Sequence, residues 1–191
     1  MSLAPWRTPL SRALHRNRSR AYSRYPQMAT VRPNGQPANR TVVFRTFLPE
    51  TNYLTFVTDV RSEKIRDLAV NPAVEICWYF TQTREQFRLH GTIEAITQAT
   101  ATTTQQAIRQ QAWEAMSAKG KQQFFWPHPG QPRATEGFEE VDIPVHPVDT
   151  FAVLVLDPTT VDHLELKGEP QNRYQYARQA DGSWVMQAVN P

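Results

Sequence analysis

The sequence predicts a mainly β fold, an antiparallel barrel or sandwich flanked by two or three helices. Short segments with apolar alternation recur along the chain, and the turns between most of them are too short to hold a crossover helix. Asn34-Gly35 and Asp181-Gly182 are strong hairpin signals between such segments. With 40% hydrophobic residues in 191, the chain can bury a real core, and we expect residues 1–191 to form a single domain.

Alternation and β-branched or aromatic content identify the strands one by one. The alternating pattern is clearest in the middle of the chain, where two long segments flank a polar turn. The predicted strands are residues 27–33, 38–47, 52–59, 73–80, 85–96, 151–157, 161–166, 171–178 and 183–189.

Helical spacing of apolar residues predicts three helices between these strands. The first lies in a basic N-terminal segment, residues 1–25. Ser62 is a good N-cap for the second, and Gly120 is a natural C-terminal cap for the third. Residues 120–147 are rich in proline and are expected to form a long functional or mobile loop. The predicted helices are residues 8–20, 62–70 and 105–119.

Charge is unevenly distributed along the chain. Residues 1–49 hold nine arginines and no acid, whereas residues 50–191 hold 12 basic and 18 acidic residues. The basic segment suits an anion such as a nucleic acid, an acidic surface or a phosphorylated small molecule, or it is a solvated basic helix. No stretch approaches the ~20 apolar residues of a membrane span. The one cysteine, Cys77, excludes an intrachain disulfide and fits a reducing compartment, so we expect a cytoplasmic protein.

An anion site is predicted where the third strand ends and the second helix begins. Backbone N–H groups at a helix N-terminus attract anions, and the helix dipole adds to this attraction. Thr58 and Ser62 add hydroxyl donors, and Lys64 adds a positive charge in the first turn. The alternative is an ordinary N-cap followed by a surface lysine.

Arg40 and Arg45 bracket the apolar part of the second predicted strand. Five residues of strand span roughly 16 Å, so the pair suits a long ligand lying along the strand, or it simply marks the two strand ends. The five histidines are scattered in the sequence, without a cysteine or an acid at a metal-ligand spacing. No metal site is therefore predicted, and no nucleophile elbow, P-loop or dinucleotide-binding motif is present.

Four short motifs follow one another in a fixed order. They are R-T-V-V-F-R at 40–45, V-T at 57–58, S-E-K at 62–64 and R-E-Q-F at 84–87. In order and spacing the chain resembles the pyridoxamine 5'-phosphate oxidase-like flavoproteins, whose fold is an FMN-binding split barrel. Within that superfamily it looks most like the branch found in cyanobacteria and plants.

The resemblance implies FMN as the cofactor and a homodimer with FMN at the interface, contacted by both chains. It also implies that Arg45, Trp126 and His128 lie near the substrate, whereas no catalytic acid or base is identified. The cofactor contacts that it implies are Arg40, Thr41, Val42, Val43, Arg45, Val57, Thr58, Ser62, Lys64, Gln86 and Arg173.

One part of the family pattern is absent from this chain. Near the C-terminus the family has a tryptophan followed by R-L-H-D-R, and here Leu164 takes the tryptophan position. Glu169 and Gln171 replace the arginine and histidine that hold pyridoxine phosphate in the true oxidases, and only the last arginine, Arg173, is kept. A glutamate at a phosphate site repels that substrate, so FMN binding is expected more strongly than pyridoxamine phosphate oxidation.

These observations predict an FMN-dependent oxidoreductase that acts on an unknown small molecule. Three alternatives stay open from the sequence: a true oxidase with a rebuilt substrate site, a non-catalytic protein that binds flavin or a tetrapyrrole, and a basic barrel that binds nucleic acid. The last is the least expected, because the N-terminal arginines fall on a predicted helix rather than between aromatic residues on strands.

Overall fold

An eight-stranded antiparallel sheet forms the frame of the computed structural model, which describes residues 3–191. The strands are β1 Gln27–Val31, β2 Pro37–Thr41, β3 Leu54–Asp59, β4 Ala73–Phe80, β5 Glu85–Ile96, β6 Phe151–Glu165, β7 Asn172–Arg178 and β8 Trp184–Val189. They pair in the order β2-β1-β4-β5-β6-β7-β8, and β3 pairs with β6 outside this path. The mainly β fold with flanking helices is confirmed.

Strand β6 is shared between two parts of the sheet, which gives the split barrel. One edge of β6 pairs with β5 along nearly its whole length. The other edge pairs with β3 over residues 151–156 and with β7 over residues 160–165. The sheet therefore divides at the middle of β6.

The prediction of two separate strands at 151–157 and 161–166 is wrong, because β6 runs through both. Pro158 lies inside β6, opposite Gly91 of β5, where the β5–β6 register shifts at a bulge. Proline is tolerated in a sheet at bulges, since a bulge already interrupts the ladder of hydrogen bonds. The absence of a side chain on Gly91 allows the β6 backbone to approach there.

The strand predicted at 38–47 is also shorter than expected. Strand β2 ends at Thr41. Residues 42–46 belong to no strand, and the backbone groups with which they form hydrogen bonds change along the segment. The amide of Val42 donates to Pro26 O beside β1, whereas that of Arg45 donates to Thr55 O on β3. This crossing segment, residues 42–46, leads from the neighbourhood of β1 to β3, and Phe44 within it is buried in the core.

The helices are α1 Arg7–Arg16, α2 Glu63–Val70, α3 Thr103–Glu114 and α4 Ala118–Gln122, with 3₁₀ turns at Ala21–Arg24 and Gln123–Phe125. The N-terminal helix ends earlier than predicted because Asn17 is buried, and its side chain bonds Ala13 O and the backbone N–H of Gln82. Of the predicted basic segment 1–25, residues 1 and 2 lie outside the described residues.

The third predicted helix, 105–119, is two helices. Helix α3 ends at Glu114, and the Ser117 side chain then caps α4 by accepting from the backbone N–H of Gly120. Gly120 is therefore inside α4 and is not a C-terminal cap. Helix α4 and the 3₁₀ turn occupy the start of the predicted loop 120–147, and residues 126–150 form neither helix nor strand.

Buried side chains form two clusters. The larger one lies between the sheet, α1 and the crossing segment and is centred on Trp6, Phe56 and Trp78. The smaller one joins α3 to the beginning of β6 through Trp113 and Phe151. No helix in residues 3–191 is both long and apolar enough to cross a membrane.

Arg109 of α3 fixes the end of the long loop. Its guanidinium is fully buried and donates to the carbonyl oxygens of Phe151 and Val148 and to the side chain of Gln98. Arg109→Leu leaves these acceptors unpaired, which costs 1–3 kcal/mol for a buried group. We expect a loss of about 3 kcal/mol in the free energy of unfolding, measured by urea denaturation.

The matched control for this change is Arg12→Leu on the exposed side of α1. That variant should stay within about 0.5 kcal/mol of wild type. Equal stability of the two variants would show that the buried arginine does not hold the loop.

Candidate functional site

A cleft of about 540 Å³ opens between the crossing segment, β3, the start of α2 and the long loop. Eight of the eleven predicted cofactor residues line it, as do Trp126 and His128. Those eight are Thr41, Val42, Val43, Arg45, Val57, Thr58, Ser62 and Lys64. The three that do not line the cleft are Arg40, Gln86 and Arg173. The roles of all these residues in binding stay predictions.

One end of the cleft, named the anion end after the sequence prediction, brings a positive charge and two hydroxyl groups together. Lys64 Nζ lies 3.0 Å from Thr58 Oγ1 and 3.2 Å from Ser62 Oγ, and the two hydroxyl oxygens are 3.1 Å apart. Ser62 occupies the N-cap position of α2, but its side chain makes no capping hydrogen bond. It points to Lys64 instead, so two hydroxyls and an ammonium group converge at the positive end of the helix dipole.

Arg40 contributes to this end without lining it. Its guanidinium donates to Thr30 Oγ1 at 2.6 Å and forms an ion pair with the buried Asp67 at 3.4 Å. The pKa of Lys64 is lowered, first by burial and then by the positive charge of Arg40. Arg40 therefore raises the positive potential at the anion end while its own hydrogen bonds hold β1, β2 and α2 together.

The lowered pKa of Lys64 makes anion binding dependent on pH. A bound phosphate would raise this pKa again, so binding takes up a proton whenever free Lys64 is neutral. We therefore expect the affinity for FMN to fall as the pH rises, and to begin falling at a lower pH than it would for a lysine with an unshifted pKa near 10.4. Flavin fluorescence titrations measure this dependence. Lys64→Arg should give a flatter profile, and identical profiles would contradict the assignment.

Arg45 also lines the cleft, and its guanidinium carries an unsatisfied hydrogen-bond donor. Its Nε atom is buried and has no hydrogen-bond partner within the described residues. Burial, followed by repulsion from Arg24, lowers the pKa of Arg45, and no carboxylate of the described residues forms an ion pair with it. Buried donors in proteins usually have an acceptor, and a shift of the Arg45 side chain toward a ligand in the cleft would provide one.

The long loop forms the other wall of the cleft. Trp126 packs edge-on against Phe138, and the Arg133 guanidinium lies 4.1 Å from the centre of the Phe138 ring. Arg61 holds the start of the loop by donating to Trp126 O at 3.0 Å while it pairs with Asp59. Asp59 is the only acid among the described residues that line the cleft, and it is neutralised by Arg61.

No pattern in the sequence indicates Arg61, Arg133 or Phe138 specifically. Arg133 and Phe138 lie in the segment whose length predicted a functional loop, and that was the only signal for them. The path of the loop beside β3 decides which loop residues line the cleft.

Gln86 and Arg173 lie together in a different part of the protein. Gln86 of β5 pairs with Leu164 of β6, and Leu164 pairs with Arg173 of β7, so the three form one row across the sheet. Asp162 accepts hydrogen bonds from Arg173 at 2.9–3.2 Å. Although burial opposes this change, hydrogen bonds from Arg173 and Gln175 lower the pKa of Asp162. The hydrogen bonds to Asp162 therefore fix the orientation of the Arg173 guanidinium in this row.

The residue types that line the cleft suit a phosphorylated flavin. The anion end matches a phosphate, the buried Nε of Arg45 matches an acceptor on the ring system or its chain, and the aromatic loop residues match a planar ring.

Residues 3–97 match the family model described as "Pyridoxamine 5'-phosphate oxidase, FMN-binding domain". An Arabidopsis thaliana protein, pyridoxine/pyridoxamine 5'-phosphate oxidase 2, is 37% identical over 99% of this chain and 98% of its own length.

The chain belongs to the pyridoxamine 5'-phosphate oxidase family. A solved structure from Nostoc punctiforme, a pyridoxamine 5'-phosphate oxidase-related FMN-binding protein, is 50% identical over all of both chains, with a TM-score of 0.96. PhzG from Burkholderia lata, solved with tetrahydrophenazine-1-carboxylic acid, shares the fold at 17% identity, with a TM-score of 0.80 over 98% of this chain and 93% of PhzG.

Similarity to some bacterial oxidases of the family is more local. The Rhodopseudomonas palustris pyridoxine/pyridoxamine 5'-phosphate oxidase is 32% identical over only 39% of this chain and 34% of its own length. The predicted family, the split barrel and FMN as the family cofactor are thus confirmed.

Proposed function

We propose that this protein is a flavoprotein that binds FMN in the cleft and acts as an FMN-dependent oxidoreductase on a small molecule. The observation that carries the proposal is the anion end, where Lys64, Ser62 and Thr58 converge within 3.2 Å of one another. Arg45, which lines the same cleft and whose Nε has no partner among the described residues, supports it independently.

Each part of the cleft has a separate task in this proposal. Lys64 and the two hydroxyls hold the phosphate, while Val42 and Val57 offer apolar contact to the flavin. Arg45 donates to an acceptor of the ligand, and the loop around Trp126 limits the access of water to the ring face. When bound, FMN supplies the hydride-accepting chemistry, so no side-chain acid or base is required for the redox step.

The substrate is expected to differ from that of the true oxidases. Glu169 and Gln171 stand where the family holds pyridoxine phosphate with an arginine and a histidine. A carboxylate in that position repels a phosphate and leaves it without its cationic partner. We therefore expect weak or absent oxidation of pyridoxamine phosphate.

We also infer a homodimer in which a second copy completes each FMN site. Gln86 and Arg173, like Arg40, do not line the cleft of their own chain, and unlike Arg40 they also lie away from its anion end. Their position in one row across the sheet, with Arg173 oriented by Asp162, suits contact with a ligand held by another chain.

The visible absorption spectrum of the purified protein tests FMN binding. We expect flavin bands that correspond to one FMN per chain, or stoichiometric binding of added FMN to the colourless protein. A protein that is colourless and does not bind added FMN would overturn the proposal. Turnover of pyridoxamine phosphate at the rate of a true oxidase would refute the altered substrate site alone.

Subunit complementation tests the shared site. Lys64→Glu and Arg173→Ala chains carrying different affinity tags are co-expressed, and the mixed dimer is isolated by both tags. If each site uses Lys64 of one chain and Arg173 of the other, the mixed dimer has one intact site and binds about half the wild-type amount of FMN. If both residues act within one chain, the mixed dimer binds no more FMN than either variant alone.

A further inference from the structure

One histidine and two glutamates converge where β5 begins and β6 ends. His163 Nε2 lies 3.0 Å from Glu85 Oε2 and 3.9 Å from Glu165 Oε1. One ligand atom of each residue lies within 4.8 Å of the others. None of the three residues lines the FMN cleft, and the proposed function does not use them.

The sheet register brings these residues together from distant parts of the sequence. Glu85 is the direct cross-strand partner of Glu165, and His163 is two residues before Glu165, on the same face of β6. The His163 ring stacks on Phe87 with the two ring centres 4.0 Å apart, which fixes its orientation. Asn172 donates to the other carboxylate oxygen of Glu165 at 3.0 Å and orients that group.

The cluster is buried enough for its charges to interact strongly. His163 is 1% exposed, Glu85 13% and Glu165 35%. Like charges that face each other across neighbouring strands repel. The single Nε2–H of a neutral imidazole can serve the carboxylate at 3.0 Å but not also the one at 3.9 Å. Glu165 therefore lies beside the His163–Glu85 pair without a hydrogen bond from the imidazole ring.

We propose that this cluster binds a divalent transition-metal ion through His163 Nε2 and one oxygen each of Glu85 and Glu165, with water completing the coordination. Nitrogen and oxygen ligands at ~2.1 Å from a tetrahedral metal lie about 3.4 Å apart. The observed separations of 3.0 and 3.9 Å bracket that value, so small side-chain shifts suffice.

The ligand types select the metal and set the expected affinity. Imidazole with carboxylates suits Zn²⁺ or Co²⁺, whereas Ca²⁺ and Mg²⁺ prefer oxygen ligands alone. His163 Nδ1 is buried and has no partner within the described residues, although metal-bound histidines usually donate from this nitrogen. The loss of such a partner typically lowers metal affinity 10–100-fold, so we expect moderate rather than very tight binding.

Titration of the tag-free protein with Co²⁺ tests the site, with and without FMN. We expect one Co²⁺ per chain, seen as absorption at wavelengths beyond the flavin bands, and its displacement by Zn²⁺. Glu85→Gln and Glu165→Gln preserve side-chain size, and each should lower the Co²⁺ affinity at least tenfold. Glu136→Gln, a change in the exposed part of the loop, should bind Co²⁺ as wild type does.

Two results would overturn the metal site. One is the absence of Co²⁺ absorption and of any thermal stabilisation by Zn²⁺ in the wild-type protein. The other is unchanged Co²⁺ affinity in both glutamine variants, which would place the ion elsewhere. Neither result bears on FMN binding, because FMN content is measured separately in every sample.

Discussion

Lys64→Glu abolishes the retention of FMN if the cleft holds the phosphate as proposed. The substitution puts a carboxylate beside Thr58 and Ser62, in place of an ammonium group 3.0 Å and 3.2 Å from their hydroxyl oxygens. Two unit charges 4 Å apart near a protein surface interact by about 4 kcal/mol, and the substitution turns this attraction into repulsion. We expect at least a 100-fold loss of affinity, roughly 3 kcal/mol, measured by flavin fluorescence titration.

Arg66→Glu is the matched control for this result. Arg66 lies on the same helix, changes the net charge equally, and is 70% exposed in a surface pair with Glu63. Its substitution should change the affinity for FMN only slightly, because exposed charges are screened. A Lys64→Glu protein that still copurifies with one FMN per chain would contradict the assignment of the anion end.

Arg40 is a poorer target than Lys64 for testing the anion end. Its removal would leave Asp67, which is 1% exposed, without its ion-pair partner. Breaking a buried pair in this way is strongly destabilising, so a loss of FMN in an Arg40 variant could reflect unfolding. Circular dichroism melts of Lys64→Glu, in contrast, should show a folded protein, because glutamate at that position can accept from both hydroxyls.

Gly91→Ala is expected to destabilise the protein about as much as Arg109→Leu. A Cβ at this position would lie 2.1 Å from Asp157 O and 2.8 Å from Pro158 Cα. Both are backbone atoms of β6, so relief requires the β5–β6 ladder to separate at the bulge. Overpacking of a rigid site costs 1–3 kcal/mol, and we expect about 3 kcal/mol here, measured as a shift in the urea midpoint.

Gly120→Ala provides the comparison for this backbone effect. A Cβ there would meet the side chains of Met116 and Ser117 at 3.1 and 3.2 Å, not a neighbouring strand. Within helix α4 the change should stay within about 1 kcal/mol of wild type. If Gly91→Ala is equally mild, the close approach at the bulge is not required for the β5–β6 pairing.

The anion end was predictable because its parts are contiguous in sequence. Thr58, Ser62 and Lys64 lie within one strand end and one helix start, where local geometry fixes their relative positions. Ser62 does occupy the predicted N-cap position of α2, but its side chain makes no capping hydrogen bond and accepts one from Lys64 instead. Local pattern thus located the site but could not show which of two available hydrogen bonds the serine makes.

The sequence by itself determined the mainly β class, the hairpin turns and the residues of the anion end, because these depend on alternation and on neighbours along the chain. Only the tertiary structure decided that Arg45 has an unmet donor, that Arg40 pairs with Asp67, and that Glu85 lies opposite Glu165. These contacts depend on strand pairing, on the crossing segment and on burial, and no local pattern encodes them.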